Sequence, residues 1–336
     1  MQNICLITHH PFWKEPLGCG ALIRARYEMM KKISSNVLVL FVSFTEDKCP
    51  LPGGTLRLDD EFNGEHLKQV RQFLKNFKIS ICYFSYDNFS FLTEYTECLN
   101  LVEIHDVMHL RAKSFAEFGY EAPYNTKKKE EIDSLYRYDR VLCINLEECD
   151  YLLKLGLRNV SYFPPSLPFQ YNETFRNKLR YGMIGSNAKP NIDGLNRLSD
   201  AVRDSGNFVL AGRISTNKNV TPRLDRNVVN LGIINNLNSF YDEVNVCLSP
   251  VLFGGGLKIK VLEALSFGRP VLASEHSVGG FPKGIHDVTV VNGNVEKWSL
   301  GDISETNEIS RARVKDYFME NFSEMTGASR FQAIVS

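Results

Sequence analysis

The thirty-residue run 245–274, NVCLSPVLFGGGLKIKVLEALSFGRPVLAS, constrains this chain more than any other part of it. Residues 244–249 read as an apolar strand and 254–256 as a glycine hinge. Residues 257–267 read as a helix and, after a Gly-Arg-Pro break, 270–273 as a second strand. Glycines ahead of a helix let backbone amides approach an anion, and the helix start adds partial positive charge. Gly256, Lys260 and Glu263 fall at i, i+4 and i+7, so the spacing predicts one shared helix face carrying amides, an ammonium and a carboxylate. Amides and Lys260 suit a pyrophosphate. A carboxylate about 10 Å along the axis, leaning back toward the helix start, suits ribose hydroxyls. The bland reading is an ordinary α/β helix with Lys260 and Glu263 as a solvated pair.

The full string GGGLKIKVLEALSFGRPVLAS resembles the donor-binding signature of GT-B glycosyltransferases of the family 4 type, which runs from a glycine loop through a basic residue and EAL to G-x-PV. The resemblance implies a donor diphosphate at Gly254, Gly255, Gly256 and Leu257, with the ribose on Glu263. The usual signature carries two glutamates separated by seven residues, and the first would fall on Gly255. A glycine-rich bacterial sub-branch is similar in lacking it.

The chain's 336 residues suit two domains of roughly 150 to 170 each. Lys plus Arg equals Asp plus Glu, at 39 each, so no global field recruits nucleic acid, and no nucleic-acid-reading motif is present. No apolar run approaches the ~18 residues a membrane-spanning helix needs, and the N-terminus lacks the pattern of a secretory signal. The eight cysteines form no C-x-x-C pair, which suits reduced thiols in a cytoplasmic protein and neither a disulfide frame nor a zinc site.

Strand-like runs at 3–8, 37–42, 79–84, 101–104 and 140–144 alternate with helical patterns at 21–33, 65–77 and 126–136. That rhythm predicts a parallel, doubly wound sheet. A proline-rich stretch at 163–169 breaks it. It restarts with strands at 181–184, 208–211, 228–231, 244–249, 270–273 and 288–291, and helices at 191–202, 237–241 and 257–267. The expected fold class is α/β GT-B: two Rossmann-like doubly wound domains facing a central cleft, with ligands at the C-terminal strand ends. The expected domains are 1–168 on the acceptor side, 169–308 for the nucleotide sugar, and a C-terminal helical segment 309–336. In GT-B proteins such a helix commonly crosses back to the first domain.

After the first strand, Gly18 and Gly20 open a helix. They read either as a flexible helix start or, by resemblance, as a loop approaching donor phosphate and acceptor. The run LVEIHD ends a strand with His105 and Asp106, and LVEIHDVMHLRAKSF resembles a DxHD…R segment of bacterial family-4-like transferases. An imidazole there would orient or deprotonate an acceptor hydroxyl, or hydrogen-bond the transferring sugar. The bland reading has Asp106 capping the next helix and His105 packing. His109 and Arg111 read as solvated, as do 127–131 (KKKEE), and Asn145 with Glu148 has the spacing of a helix cap.

In the second half Gly185 and Lys189 form a glycine-plus-basic loop comparable to the family's, Arg213 is placed by resemblance near phosphate or base, and Ile233 near the nucleobase. The function implied is transfer of a sugar from a nucleotide-diphosphate sugar to an acceptor hydroxyl, with retention, in bacterial cell-surface polysaccharide (lipopolysaccharide or capsule) synthesis on a glycan or lipid-linked glycan. No metal or cofactor is expected. The alternatives are a sugar-nucleotide epimerase of the same architecture and a catalytically silent GT-B binding protein. Residues 65–78 pair a basic row (Lys68, Arg71, Lys75, Lys78) with an apolar stripe (Leu67, Val70, Leu74, Phe77). They read as a helix facing either its own sheet or, peripherally, an anionic membrane.

Overall fold

The computed structural model describes residues 2–14, 18–58, 62–170, 178–218, 220 and 228–336. It divides into two compact units: Met1–Lys113 with Ala122–Ser166 and Glu324–Ser336, and Ser114–Glu121 with Leu167–Ser323.

In chain order the first unit has β1 (Asn3–Thr8), α1 (Cys19–Ile33), β2 (Asn36–Ser43), β3 (Gly53–Arg57), α2 (Gly64–Asn76), β4 (Ile81–Ser85), β5 (Leu99–Ile104), α3 (Met108–Glu117, its end grouped with the second unit), α4 (Lys128–Leu135), β6 (Arg140–Cys143), α5 (Leu146–Lys154) and β7 (Val160–Tyr162). The strands form one parallel sheet in the order β3-β2-β1-β4-β5-β6-β7. Strands such as β1, β2 and β4 are near-continuous apolar runs, buried on both faces. Cys5 and Ile7 of β1 join Leu38, Leu40, Cys82, Phe84 and Val102 in one core, while Ile4 and Leu6 join Val37, Val39, Ile81, Tyr83 and Leu101 in the other.

The second unit runs β8 (Tyr181–Ile184), α6 (Lys189–Arg197), α7 (Asp200–Arg203), β9 (Phe208–Ala211), β10 (Val229–Gly232), α8 (Asn238–Tyr241), β11 (Val246–Ser249), α9 (Ile259–Ser266), β12 (Val271–Ala273), α10 (Glu275–Val278), β13 (Thr289–Val291), α11 (Leu300–Asn307) and α12 (Arg311–Phe322). Its parallel sheet has the order β10-β9-β8-β11-β12-β13. The final helix, α13 (Glu324–Val335), belongs to the first unit, where Phe331 enters the core. Each sheet reverses its strand order once, between β1 and β4 and between β8 and β11. Such reversals open crevices at the C-terminal strand ends.

Several elements depart from expectation. β3 opens with Gly53, at φ +142°, where a Cβ would lie 2.0 Å from the Val39 carbonyl oxygen. Only glycine permits that approach, and paired glycines read as a turn. The helix expected over 191–202 breaks after Leu198, where the Ser199 side chain accepts from Val202 N–H and caps α7. On α2, Val70 and Leu74 are buried in the first unit's core with Leu67 packed against it, so that part of the apolar stripe faces its own sheet, while Phe77 stands exposed. Among the described residues no helix is long and apolar enough to cross a membrane.

Gly194 seats α6 against the exit of β11: a Cβ there would lie 2.2 Å from the Pro250 carbonyl oxygen. Gly194→Ala should therefore cost about 1–3 kcal/mol in urea unfolding. An unchanged midpoint would show that α6 is not held there.

Candidate functional site

In the first unit, the ends of β1, β4 and β5 present His9 and His10, Tyr86, and His105 with Asp106. The rings follow one another as tilted neighbours, with centroids 4.2 Å apart for His9–His10, 5.2 Å for His10–Tyr86 and 4.3 Å for Tyr86–His105. Tyr86 adopts φ +72°, a conformation uncommon for a bulky residue and often met where function fixes a side chain.

Behind this row lies a buried relay. His105 Nε2 is 3.0 Å from Glu103 Oε1, while Glu103 Oε2 accepts from Arg26 Nε at 2.5 Å and from the Tyr83 hydroxyl at 2.7 Å. Arg26 also donates to the carbonyls of Phe163 and Pro164, at 2.7 and 3.0 Å. Burial opposes ionisation of Glu103, but Arg26, His105 and Tyr83 outweigh it and hold the carboxyl down to about 2. For His105, burial disfavours the charge; Cys19 and Glu103 prevail and push the pKa up to about 9. At neutral pH the ring is therefore an imidazolium. In that form the ring has no lone pair with which to take a proton, and its Nδ1 is buried without a hydrogen-bond partner. Sequence reasoning passed over Arg26, Tyr86 and Glu103. The available signal was a single carboxylate inside an otherwise apolar strand, which needs a buried partner.

Asp106 does not cap α3. The first amides of that helix go instead to Glu148 (Val107 N–H, 3.1 Å) and Glu131 (Met108 N–H, 2.6 Å; His109 N–H, 3.0 Å). This corrects the solvated reading at the end of the 127–131 run: residues 127–130 are exposed, but Glu131 is buried and anchors the start of α3. His109 and Arg111 are likewise engaged. His109 Nδ1 is 2.6 Å from Glu131 and its Nε2 2.8 Å from the Tyr151 hydroxyl, while Arg111 pairs with Asp106 at 3.0 Å. Asn145 accepts from Glu148 N–H at 3.0 Å, as its spacing predicts. Gly18, at φ +65°, is the N-cap of α1 and supplies no side-chain cap; Gly20 is buried within the first turn.

In the second unit, the elements that follow β8 and β11 meet at the reversal between those strands through Asn191 and Lys260. Gly185 follows β8 and Lys189 begins α6. Asn191 donates to Ser186 O and Oγ, both at 3.2 Å, and accepts from Lys260 Nζ. Lys189 Nζ lies 4.4 Å from the centre of the Tyr120 ring. The loop leaving β11 is held by serines: Ser277 Oγ donates to Ser249 O at 2.6 Å and Ser274 Oγ to Val251 O.

The helix expected from Leu257 begins two residues later, at Ile259, because Lys258 is extended. Its Nζ folds back to the carbonyls of Gly255 and Gly256, both at 2.9 Å. Gly256, at φ +63°, thus precedes the helix and does not share its face. The Gly254 amide is also engaged, donating to Ser114 Oγ at 3.0 Å. Lys260 and Glu263 do lie one turn apart on α9. Burial and neighbouring Lys258 push Lys260 down to about 7 against the pull of Glu263, and burial pushes Glu263 up to about 7 against Lys260. Arg213 and Ile233 stand exposed after β9 and β10.

Residues 178–300 match the family model described as Glycosyl transferases group 1. The whole chain is similar in fold to sucrose-phosphate synthase from Thermosynechococcus elongatus, with a TM-score of 0.72, 15% identity, and coverage of 100% of this chain and 98% of that one. The fold is GT-B. Another GT-B structure, Anabaena HepE in complex with UDP, aligns with a TM-score of 0.71 at 12% identity over 99% of each chain. The lipopolysaccharide outer core galactosyltransferase WaaB aligns with a TM-score of 0.64 at 12% identity, again over 99% of each. No curated protein matches the chain by sequence. Among the described residues, no group of three or more His, Cys, Asp or Glu is arranged to hold a metal ion.

Proposed function

We propose that this chain is a glycosyltransferase that takes a sugar from a nucleotide-diphosphate donor and passes it to an acceptor hydroxyl. The observation that carries this reading is Lys260, a half-buried ammonium beside Asn191 at the strand-order reversal of the second sheet. Its burial depresses its proton affinity, and a diphosphate is the ligand that restores it. Glu263, one turn further along α9, takes the ribose; Lys189 and the Gly185 loop border the same reversal. HepE, solved with UDP and with UDP-glucose, supports a nucleotide-sugar donor. WaaB, named for lipopolysaccharide, supports a cell-surface glycan as acceptor. All eight cysteines are free thiols, which supports a reducing compartment.

In the mechanism, the departing diphosphate is stabilised by Lys260 and by main-chain amides near Gly255, while the His105 imidazolium donates to an oxygen of the sugar or acceptor. Asp106 is held in place by Arg111. Gly255 leaves no carboxylate at the position the usual signature fills, so hydrogen-bond donors, and not a protein nucleophile, carry a retaining transfer.

Incubation with a panel of UDP-, GDP- and ADP-sugars and candidate glycan acceptors tests the reading. Transfer with nucleotide release is expected. Binding without turnover would favour a silent binder, and conversion of the donor without transfer an epimerase.

With basic and amide groups doing the neutralising, turnover should persist in EDTA. Loss of activity in chelator, rescued by magnesium or manganese, would contradict metal independence.

A further inference from the structure

The histidine-bearing edge of the first sheet also holds a thiol for which sugar transfer has no use. Cys19 is the first residue of α1, and it is exposed, whereas every other cysteine is buried or half-buried. Three neighbours act on its sulfur. The Tyr86 hydroxyl donates to Sγ at 3.1 Å. The start of a 15-residue helix, with no side-chain cap from Gly18, places partial positive charge behind it. The third is His105, 5% exposed, whose Nε2 is committed to Glu103. Its Nδ1 is buried and has no hydrogen-bond partner, and the ring and Cys19 each favour the other's charged form.

The order Cys19, His105, Glu103, Arg26 is that of an activated nucleophile: a thiol, an imidazole, a carboxylate that orients the imidazole, and a cation that fixes the carboxylate. The groups facing the pair are known. Tyr86 donates to the sulfur, and Asp106 opposes the thiolate. His10, itself held neutral by burial and by its histidine neighbours, lies on the far side of Tyr86. Desolvation by the surrounding protein works against ionisation of Cys19, but His105 and Tyr86 outweigh it and Asp106 and hold the thiol below its usual range.

We propose that Cys19, which accepts from the Tyr86 hydroxyl at the start of α1, is a covalent modification site that takes up small disulfides reversibly. In the exchange, the Cys19 thiolate attacks one sulfur of R–S–S–R, forming Cys19–S–S–R and breaking the original S–S bond. Cys19 is oxidised to the disulfide level, and the leaving sulfur is reduced and departs as RS⁻, taking its proton from solvent. A free thiol attacking the adduct reverses the step. The cysteines with neighbouring thiols are poor competitors: Cys143 and Cys82 are buried, and the Cys98 thiol donates to the Ile79 carbonyl at 3.2 Å.

The test uses the intact protein, iodoacetamide over a range of pH, and peptide mass spectrometry to assign each adduct. Cys19 should be alkylated first, about tenfold or more faster at neutral pH than Cys49 or Cys98, with a midpoint below the ~8.5 of an ordinary thiol. Oxidised glutathione should add one glutathionyl group, at Cys19, removable by dithiothreitol. His105→Gln should return the midpoint to the ordinary range. Should that variant fold poorly, Tyr86→Phe, which removes only the donated hydrogen bond, should move it upward by a smaller amount. Alkylation of Cys19 no faster than free glutathione, or a midpoint unmoved in every variant that folds, would overturn the proposal.

Discussion

Replacing Glu103 with Ala should cost about 3–5 kcal/mol of folding stability, the largest single-residue loss expected in the first unit. Arg26 and Glu103 are 3% and 1% exposed, so truncating the carboxylate leaves a guanidinium in the core with only the Phe163 and Pro164 carbonyls. Glu103→Gln keeps the shape and one acceptor and should cost less. Urea unfolding of the three proteins measures this directly, and a loss below about 1 kcal/mol for Glu103→Ala would mean that the relay is not holding the unit together.

The relay also sets a pH window. The Glu103 carboxyl is depressed to about 2, so its contribution is present above its unfolded value of 4.5 and lost as pH falls through about 2. The His105 ring is raised to about 9, so its contribution is fully present below its unfolded value of 6.5 and lost as pH rises through about 9. Wild-type stability should therefore decline between 6.5 and about 9, by at most about 3 kcal/mol, and His105→Ala should abolish that decline.

The second large effect is on turnover. His105→Ala should slow sugar transfer about 100-fold or more while leaving nucleotide affinity as it was. His105 belongs to the first unit, and the residues assigned to the nucleotide belong to the second. An imidazolium that donates to the reacting sugar or acceptor works mainly as charge develops, so its removal falls on kcat and not on donor binding. Wild-type turnover in the variant, with an accepted acceptor, would leave His105 as a partner of Glu103 alone.

Much of the fold was legible because strands buried on both faces are spelled as continuous apolar runs. Residues 3–8 and 181–184 were read with the bounds of β1 and β8. What escaped depends on contacts that local pattern does not record. β3 begins with Gly53, which its close approach to Val39 demands. Arg26 and Glu103 are 77 residues apart in sequence, and nothing near either names the other. Glu131 looked like one more charge in a solvated run until the start of α3 claimed it. In the second unit, the placement of Lys260 and Glu263 one turn apart on a helix was legible from their spacing. The turn at Lys258, which delays the helix and removes Gly256 from its face, was not: it rests on an ammonium folding back onto two carbonyls.

The most direct test of the account is calorimetric titration of a nucleoside diphosphate into the intact protein near neutral pH, repeated in buffers of different ionisation enthalpy. Burial holds Lys260 at about 7, and a diphosphate beside it raises that value. The account predicts binding accompanied by uptake of a fraction of a proton, with affinity and proton uptake both lost in a folded Lys260→Met variant. Absence of binding at millimolar nucleotide, or equal affinity and equal proton uptake in Lys260→Met, would contradict it.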